Sequence, residues 1–201
     1  MTGFRLPPLV VDYNQLWLEA ELRGGGDGRG WARRSTGLLL SRPQWAAART
    51  RKGERRLIAL LEQAAVIARK QQDASMGLIL IPSPEEGIEG MAAFCPVDLA
   101  GYSGEEAWEE LLEQLAPDVP GDYPREITPM KTKAGPCRRL RLRYAEGQGP
   151  ERTLGEHIGY LWVFEEYEAA VMMTITFPDP LQAVRWLPAL DELARGVWLQ
   201  Q

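Results

Sequence analysis

Cys137-Arg138-Arg139-Leu140-Arg141-Leu142-Arg143-Tyr144 alternates guanidinium and hydrocarbon from Arg139 onward. A period of two is that of a β-strand, whose successive side chains leave on opposite faces. The run therefore predicts a half-exposed strand, charged on one face and apolar on the other. Further on, Ile158, Tyr160, Trp162 and Phe164 repeat the spacing and point one way. Glu165-Glu166-Tyr167-Glu168 then reads as a turn, and Ala169–Phe177 as the returning strand of a hairpin. Strands joined this closely are antiparallel.

Towards the C-terminus, Asp179 is placed to cap a helix with Pro180 in its first turn. Leu181, Val184, Leu187, Leu190, Ala194 and Val197 are its expected buried stripe, and Arg195-Gly196 its end. Before the arginine strand, Ile127–Thr132 reads as a further strand. Ser103 and Glu106 form a capping-box pattern ahead of a helix carrying Ala107, Trp108, Leu111, Leu112 and Leu115, which Pro117 ends. Gly77–Ile81 and Gly90–Val97 predict an antiparallel pair. The segment 54–71 has the helical stripe Leu57, Leu60, Leu61, Ala64 and Ile67/Ala68.

The first 50 residues are the least regular. Leu9-Val10-Val11 predicts a short strand, and Asp12 a cap for a helix through Leu16 and Leu18 to Leu22. The glycine-rich stretch 24–30 predicts a mobile loop. Gly37-Leu38-Leu39-Leu40 has the length of a buried strand, and Pro43 opens a short helix to Ala48. The expected organisation is one domain over 1–201, with an irregular part at 1–50 and a sheet-and-helix core at 54–198. Helices falling between strand blocks predict an α+β fold, a mostly antiparallel sheet flanked by helices in an α/β/α sandwich.

Composition bounds the function. A hydrophobic content of 45% with seven Trp supplies a core, and a formal charge of −5 argues against general nucleic-acid binding. No apolar run approaches the ~18–20 residues that span a bilayer, and Met1–Pro8 lacks the charged and apolar regions of a signal peptide. Cys95 and Cys137 form no CxxC and are read as two buried free thiols. A cytoplasmic protein without membrane contact is the expectation.

The chemistry of catalysis is thin. His157 is the only histidine, so any Ser–His or Cys–His pair must use it, and no serine lies in a G-x-S-x-G elbow. Its simplest reading is a hydrogen-bonded surface or edge histidine at the entry to a strand. Two isolated cysteines and one histidine give no zinc spacing. The glycine stretch matches neither phosphate-binding signature. No catalytic, cofactor-binding or metal-binding residue is assigned, and no cofactor is expected.

Charge is the stronger signal. Between Glu85 and Asp122 there is no Lys or Arg. Within that span Glu105, Glu106, Glu109, Glu110 and Glu113 crowd one helix, with like charges four residues apart that destabilise it by a few tenths of a kcal/mol each. These five are the candidate partner-binding residues, an acidic face for a basic protein. Opposite charge gathers from Arg29 to Arg56, around Trp31 and Trp45. Interleaved bases and aromatics can grip nucleic acid, or be surface arginines around core tryptophans, which the overall acidity favours. Arg139, Arg141 and Arg143 are expected to pair with glutamates such as those of the 165–168 turn.

The order of segments over roughly 75–198 resembles the Mog1/PsbP-like α/β/α sandwich. The likeness rests on the arginine-leucine strand, the aromatic hairpin ending Met172-Met173-Thr174-Ile175-Thr176-Phe177, the Pro-Asp-Pro stop and the closing helix to Gly196. It implies a binding or assembly role, since characterised members of that fold partner a small GTPase or a photosystem. No shared motif carries a binding residue across. The leading expectation is a non-enzymatic interaction or assembly factor. The alternatives are a toxin-neutralising immunity protein and a small-molecule carrier lined by Trp108, Trp162, Tyr160 and Met172.

Overall fold

Alternation, helical stripes and turn residues combine into an α+β architecture in the computed structural model, which describes residues 6–23, 28–71, 73–99, 101–116, 124–147 and 153–200. Among them, seven strands form one antiparallel sheet in the order β2-β3-β4-β8-β7-β6-β5. These are β2 (Trp17–Glu19), β3 (Met76–Leu80), β4 (Gly90–Asp98), β5 (Arg125–Thr132), β6 (Gly135–Glu146), β7 (Thr153–Phe164) and β8 (Ala169–Phe177). A two-stranded sheet joins β1 (Leu9–Val11) to β9 (Val197–Leu199). The helices are α1 (Arg29–Ser41), α2 (Arg51–Ala68), α3 (Gly104–Leu115) and α4 (Pro180–Arg195), with 3-10 turns at Pro43–Ala48 and Glu165–Tyr167. Two compact units result, 14–93 and 1–13 with 94–201, and the boundary falls within β4.

In the larger unit, register fixes which side chains share a face. Arg139, Arg141 and Arg143 of β6 lie opposite Tyr160, Ile158 and Glu156 of β7, which lie opposite Met173, Ile175 and Phe177 of β8. That face receives α4: the Tyr160 hydroxyl donates to Asp191 Oδ1 at 2.7 Å. The other face carries Leu140, Leu161, Ala170 and Met172, buried together with Leu111, Leu112 and Leu115 of α3. Gly159 makes this approach possible, because a Cβ there would collide with the Leu115 side chain. A helix on each face reproduces the expected layers within this unit.

The first 50 residues depart most from the sequence reading. Asp12 caps no helix; its carboxylate receives Lys133 Nζ at 2.6 Å and Trp198 Nε1 at 3.4 Å. Residues 17–19 form β2 in place of the expected helix, pairing with Leu80, Ile79 and Leu78 of β3, and Trp17 and Leu18 are buried on its opposite faces. Gly37–Leu40 is not a strand but the end of α1, which buries Trp31, Ala32, Ser35, Thr36 and Leu39 while leaving Leu38 60% exposed. Three leucines in a row fit either element, and the helical spacing back to Trp31 decides. Residues 24–27 of the glycine loop lie outside the described ones; Gly28, at φ 79°, precedes α1, and Arg29 and Gly30 are helical. Pro117 also lies outside the described residues.

The α4 stripe is rotated from expectation. Ala183, Trp186, Leu190, Leu193 and Ala194 are buried, whereas Leu181 is 77% exposed and Val184 is exposed. The sequence offers two overlapping stripes. The one that covers the large Trp186 surface and turns Asp191 towards Arg139 prevails. Val197 belongs to β9, a strand the sequence reading missed.

Candidate functional site

α3 enters through Gly104, at φ 58°, a backbone conformation natural to glycine. The expected capping box does not form, since Ser103 makes no side-chain cap. Glu165, from the turn after β7, instead accepts the Gly104 N–H at 2.8 Å. A carboxylate there satisfies an orphan amide and favours the positive end of the helix. Underneath, Ala107, Leu111, Leu112 and Leu115 are buried.

The five candidate glutamates do not behave alike. Arg138 reaches from β6 and grips Glu105 with both arms, Nη1–Oε1 at 2.6 Å and Nη2–Oε2 at 2.7 Å. Its guanidinium also lies 4.7 Å from the Trp108 ring centroid. The hydrogen bond from Arg138 holds the Glu105 carboxyl below its ordinary range, and the same bond raises Arg138. Glu113 is paired with Arg125 of β5. Among the described residues Glu110 accepts only the neutral Gln114 amide, at 3.2 Å. Glu109 acts on Arg138 through its charge alone. Glu106 is exposed, with no ion pair among the described residues. The two cations sit at the ends of the row; between them Glu106, Glu109 and Glu110 have no ion pair among the described residues, although the charge of Arg138 reaches Glu109.

The arginine strand meets different acids from those anticipated. Glu156 is wholly buried and takes Arg141 Nε at 2.7 Å and Arg143 Nε at 3.0 Å. Glu126 pairs with Arg141 at 3.3 Å, and Asp191 with Arg139 at 2.7 Å. Glu165, Glu166 and Glu168 are excluded by register, because the turn follows Phe164 while Arg143 lies opposite Glu156. Glu156 and Asp191 were missed as ion-pair partners, though phase would have found Glu156: it shares the even-numbered face of Ile158 and Tyr160. A cleft of about 250 Å³ runs beside Arg125, Glu126, Arg141, Arg143 and Glu156, where charges of both signs already neutralise each other. Burial pushes the neighbouring Cys137 thiol and Tyr160 hydroxyl far above their ordinary values, so neither ionises readily.

His157 is neither a surface nor an edge residue. It is buried within β7, a strand flanked by β6 and β8, and its Nδ1 lies 3.0 Å from Thr176 Oγ1. Burial lowers its pKa, and a backbone bond to Leu115 opposes the shift. The lining of the cleft beside Arg141 and Arg143 includes neither His157 nor Thr176. The pair is a cross-strand contact at matched register.

The other candidates resolve into packing. Tyr160 and Trp162 face α4, while Met172 and Trp108 lie on the α3 side, so the four proposed carrier residues line no common cavity. Trp31 and Trp45 are buried; Arg42 donates to the carbonyls of Gln15 and Trp17, and Arg49 to that of Leu40. This part of the basic segment is structural. Cys95 and Cys137 form no disulfide; Cys137 is buried as expected, whereas Cys95 is only half-buried. Among the described residues no His/Cys/Asp/Glu group gathers as a metal site, and no helix is long and apolar enough to cross a membrane. Compared with protein-family models, curated proteins and solved structures, the chain matches none.

Proposed function

We propose that this chain is a non-enzymatic interaction factor of the cytoplasm that docks a basic protein on the outer face of α3. The observation that carries the reading is the acidic centre at Glu106, Glu109 and Glu110, which has no ion pair among the described residues and lies between two ion-paired ends. A helix with five glutamates and no base holds like charges four residues apart, at a few tenths of a kcal/mol each. A basic partner relieves that repulsion, so the surface favours association over solitude. Complementary charge of this kind accelerates encounter and selects partners. Two cysteines outside any disulfide support a reducing compartment. The Mog1/PsbP-like resemblance adds a binding role by analogy of element order.

The test is capture on the immobilised chain from native lysate. A partner should be retained at low ionic strength and released near 1 M salt, where the screening length falls to ~3 Å. Glu106→Lys with Glu110→Lys should abolish retention while circular dichroism stays unchanged. A chain that elutes alone at every salt concentration, or a partner indifferent to the reversal, defeats the proposal.

A further inference from the structure

The seven-stranded sheet ends on β2 at one side and on β5 at the other. An edge strand carries a row of backbone groups with no neighbouring strand to receive them. On β2 the Ile81 N–H donates to the Leu16 carbonyl and the Ala20 N–H to that of Gly77, so Gln15, Trp17 and Glu19 turn their carbonyls outward. Side chains take all three. Arg42 donates to Gln15 at 2.6 Å and to Trp17 at 3.3 Å, and the Trp31 indole donates to Glu19 at 3.2 Å. The β5 edge is different. Pro129 lies opposite Arg138, and Pro136 opposite Lys131. Proline gives a ladder no N–H, so these are the pairs without hydrogen bonds, and Arg125, Ile127, Pro129 and Lys131 direct their backbone groups away from β6. None of those groups has a partner among the described residues. Ile127, within this row, is 48% exposed.

Such a row is completed by another strand, and β5 carries the features of a strand that completes itself. Arg42 and Trp31 close the β2 edge, so two copies can join in-sheet only β5 to β5, about a two-fold axis that ends the assembly at two. Charge and proline then select the register. Centring the axis on Arg125, Glu126 or Lys131 opposes a charge with its own copy, and centring it on Thr128 opposes Arg125 with Lys131; all four are repulsive. Centring on Pro129 or Met130 sets the missing proline donor at or beside the axis. Ile127 has none of these faults. There the two Ile127 residues exchange both backbone bonds and bring their exposed side chains together, and each Arg125 N–H meets the carbonyl of the partner's Pro129. We propose that β5 pairs antiparallel with β5 of a second copy of this chain, about a two-fold axis at Ile127. The pairing is independent of what α3 docks.

Sedimentation equilibrium of the full chain, from micromolar to millimolar concentration, should show the mass doubling from 22.5 kDa. Over the same range amide exchange should slow at Arg125 and Ile127. Ile127→Pro removes a donor that β6 does not use, as Pro129 already does, and should abolish the dimer. Ile127→Lys sets two ammonium groups against each other at the axis and should abolish it too, with circular dichroism unchanged. Under mild oxidation Ile127→Cys should link two copies beyond the level of the parent chain, because residues opposed in this way lie about 5.5 Å apart at Cα, within disulfide reach. Lys131→Cys, remote from its own copy in this register, should not. Glu106→Lys with Glu110→Lys should leave the dimer intact. A monomer at millimolar concentration, a dimer indifferent to both Ile127→Pro and Ile127→Lys, or linkage through Lys131→Cys in place of Ile127→Cys overturns the proposal.

Discussion

Glu156 is the side chain on which the arginine face of β6 depends. It is wholly buried, so its charge is tolerable only because Arg141 and Arg143 supply donors at 2.7 and 3.0 Å. Arg141 is itself largely shielded, with 13% of its side chain exposed, while Arg143 is 61% exposed. The partners are therefore unequal. Glu156→Gln should cost about 3–5 kcal/mol in denaturant unfolding, because it leaves the shielded Arg141 guanidinium only the exposed Glu126 as a counter-charge. Arg143→Ala should cost about 1 kcal/mol or less, as for exposed pairs. Comparable losses from both would mean that the network is not organised around Glu156.

Packing of α3 against β7 turns on one missing side chain. Gly159 admits Leu115 so closely that any Cβ meets Leu115 Cδ2 and Cγ. Gly159→Ala should destabilise by about 1–3 kcal/mol through overpacking, and Leu115→Ala by about 2–5 kcal/mol through the cavity it leaves. Together they should cost clearly less than the sum, because each relieves the other; strict additivity would refute the contact. The strands around this site were legible because alternation depends only on neighbours in sequence. The aromatic hairpin and the apolar positions of α3 came directly from it. What was not legible depended on distant groups. The Gly104 amide is satisfied by Glu165, sixty-one positions away, in place of the local Ser103 box. Two stripes were available to α4, and the Arg139–Asp191 pair selects between them. The acidic helix was visible as composition, yet its division into satisfied ends and a free centre required Arg138 and Arg125 to be placed in space.

At the scale of the whole chain, the smallest sheet ties sequence position 9 to position 199. Leu9, Val10 and Val11 pair with Leu199, Trp198 and Val197, and the Asp12 N–H donates to the Gly196 carbonyl at 3.0 Å. Gly196 is needed at that crossing, since a Cβ would strike the Asp12 carbonyl oxygen. The Lys133 ammonium beside Asp12 holds its carboxyl below the ordinary carboxylate range, so this outer contact weakens on acidification. Neither three-residue strand can persist alone, because a strand draws its hydrogen bonds from a partner. Removing residues 197–201 should therefore release 9–11 as well, at the opposite end of the sequence. Amide exchange would show it: protection should vanish at Val10, the residue of 9–11 that shares the hydrogen-bonding phase of Asp12, while the seven-stranded sheet around Ile158–Val163 stays protected. Retained protection at 9–11 would show that β1 is held by something other than β9.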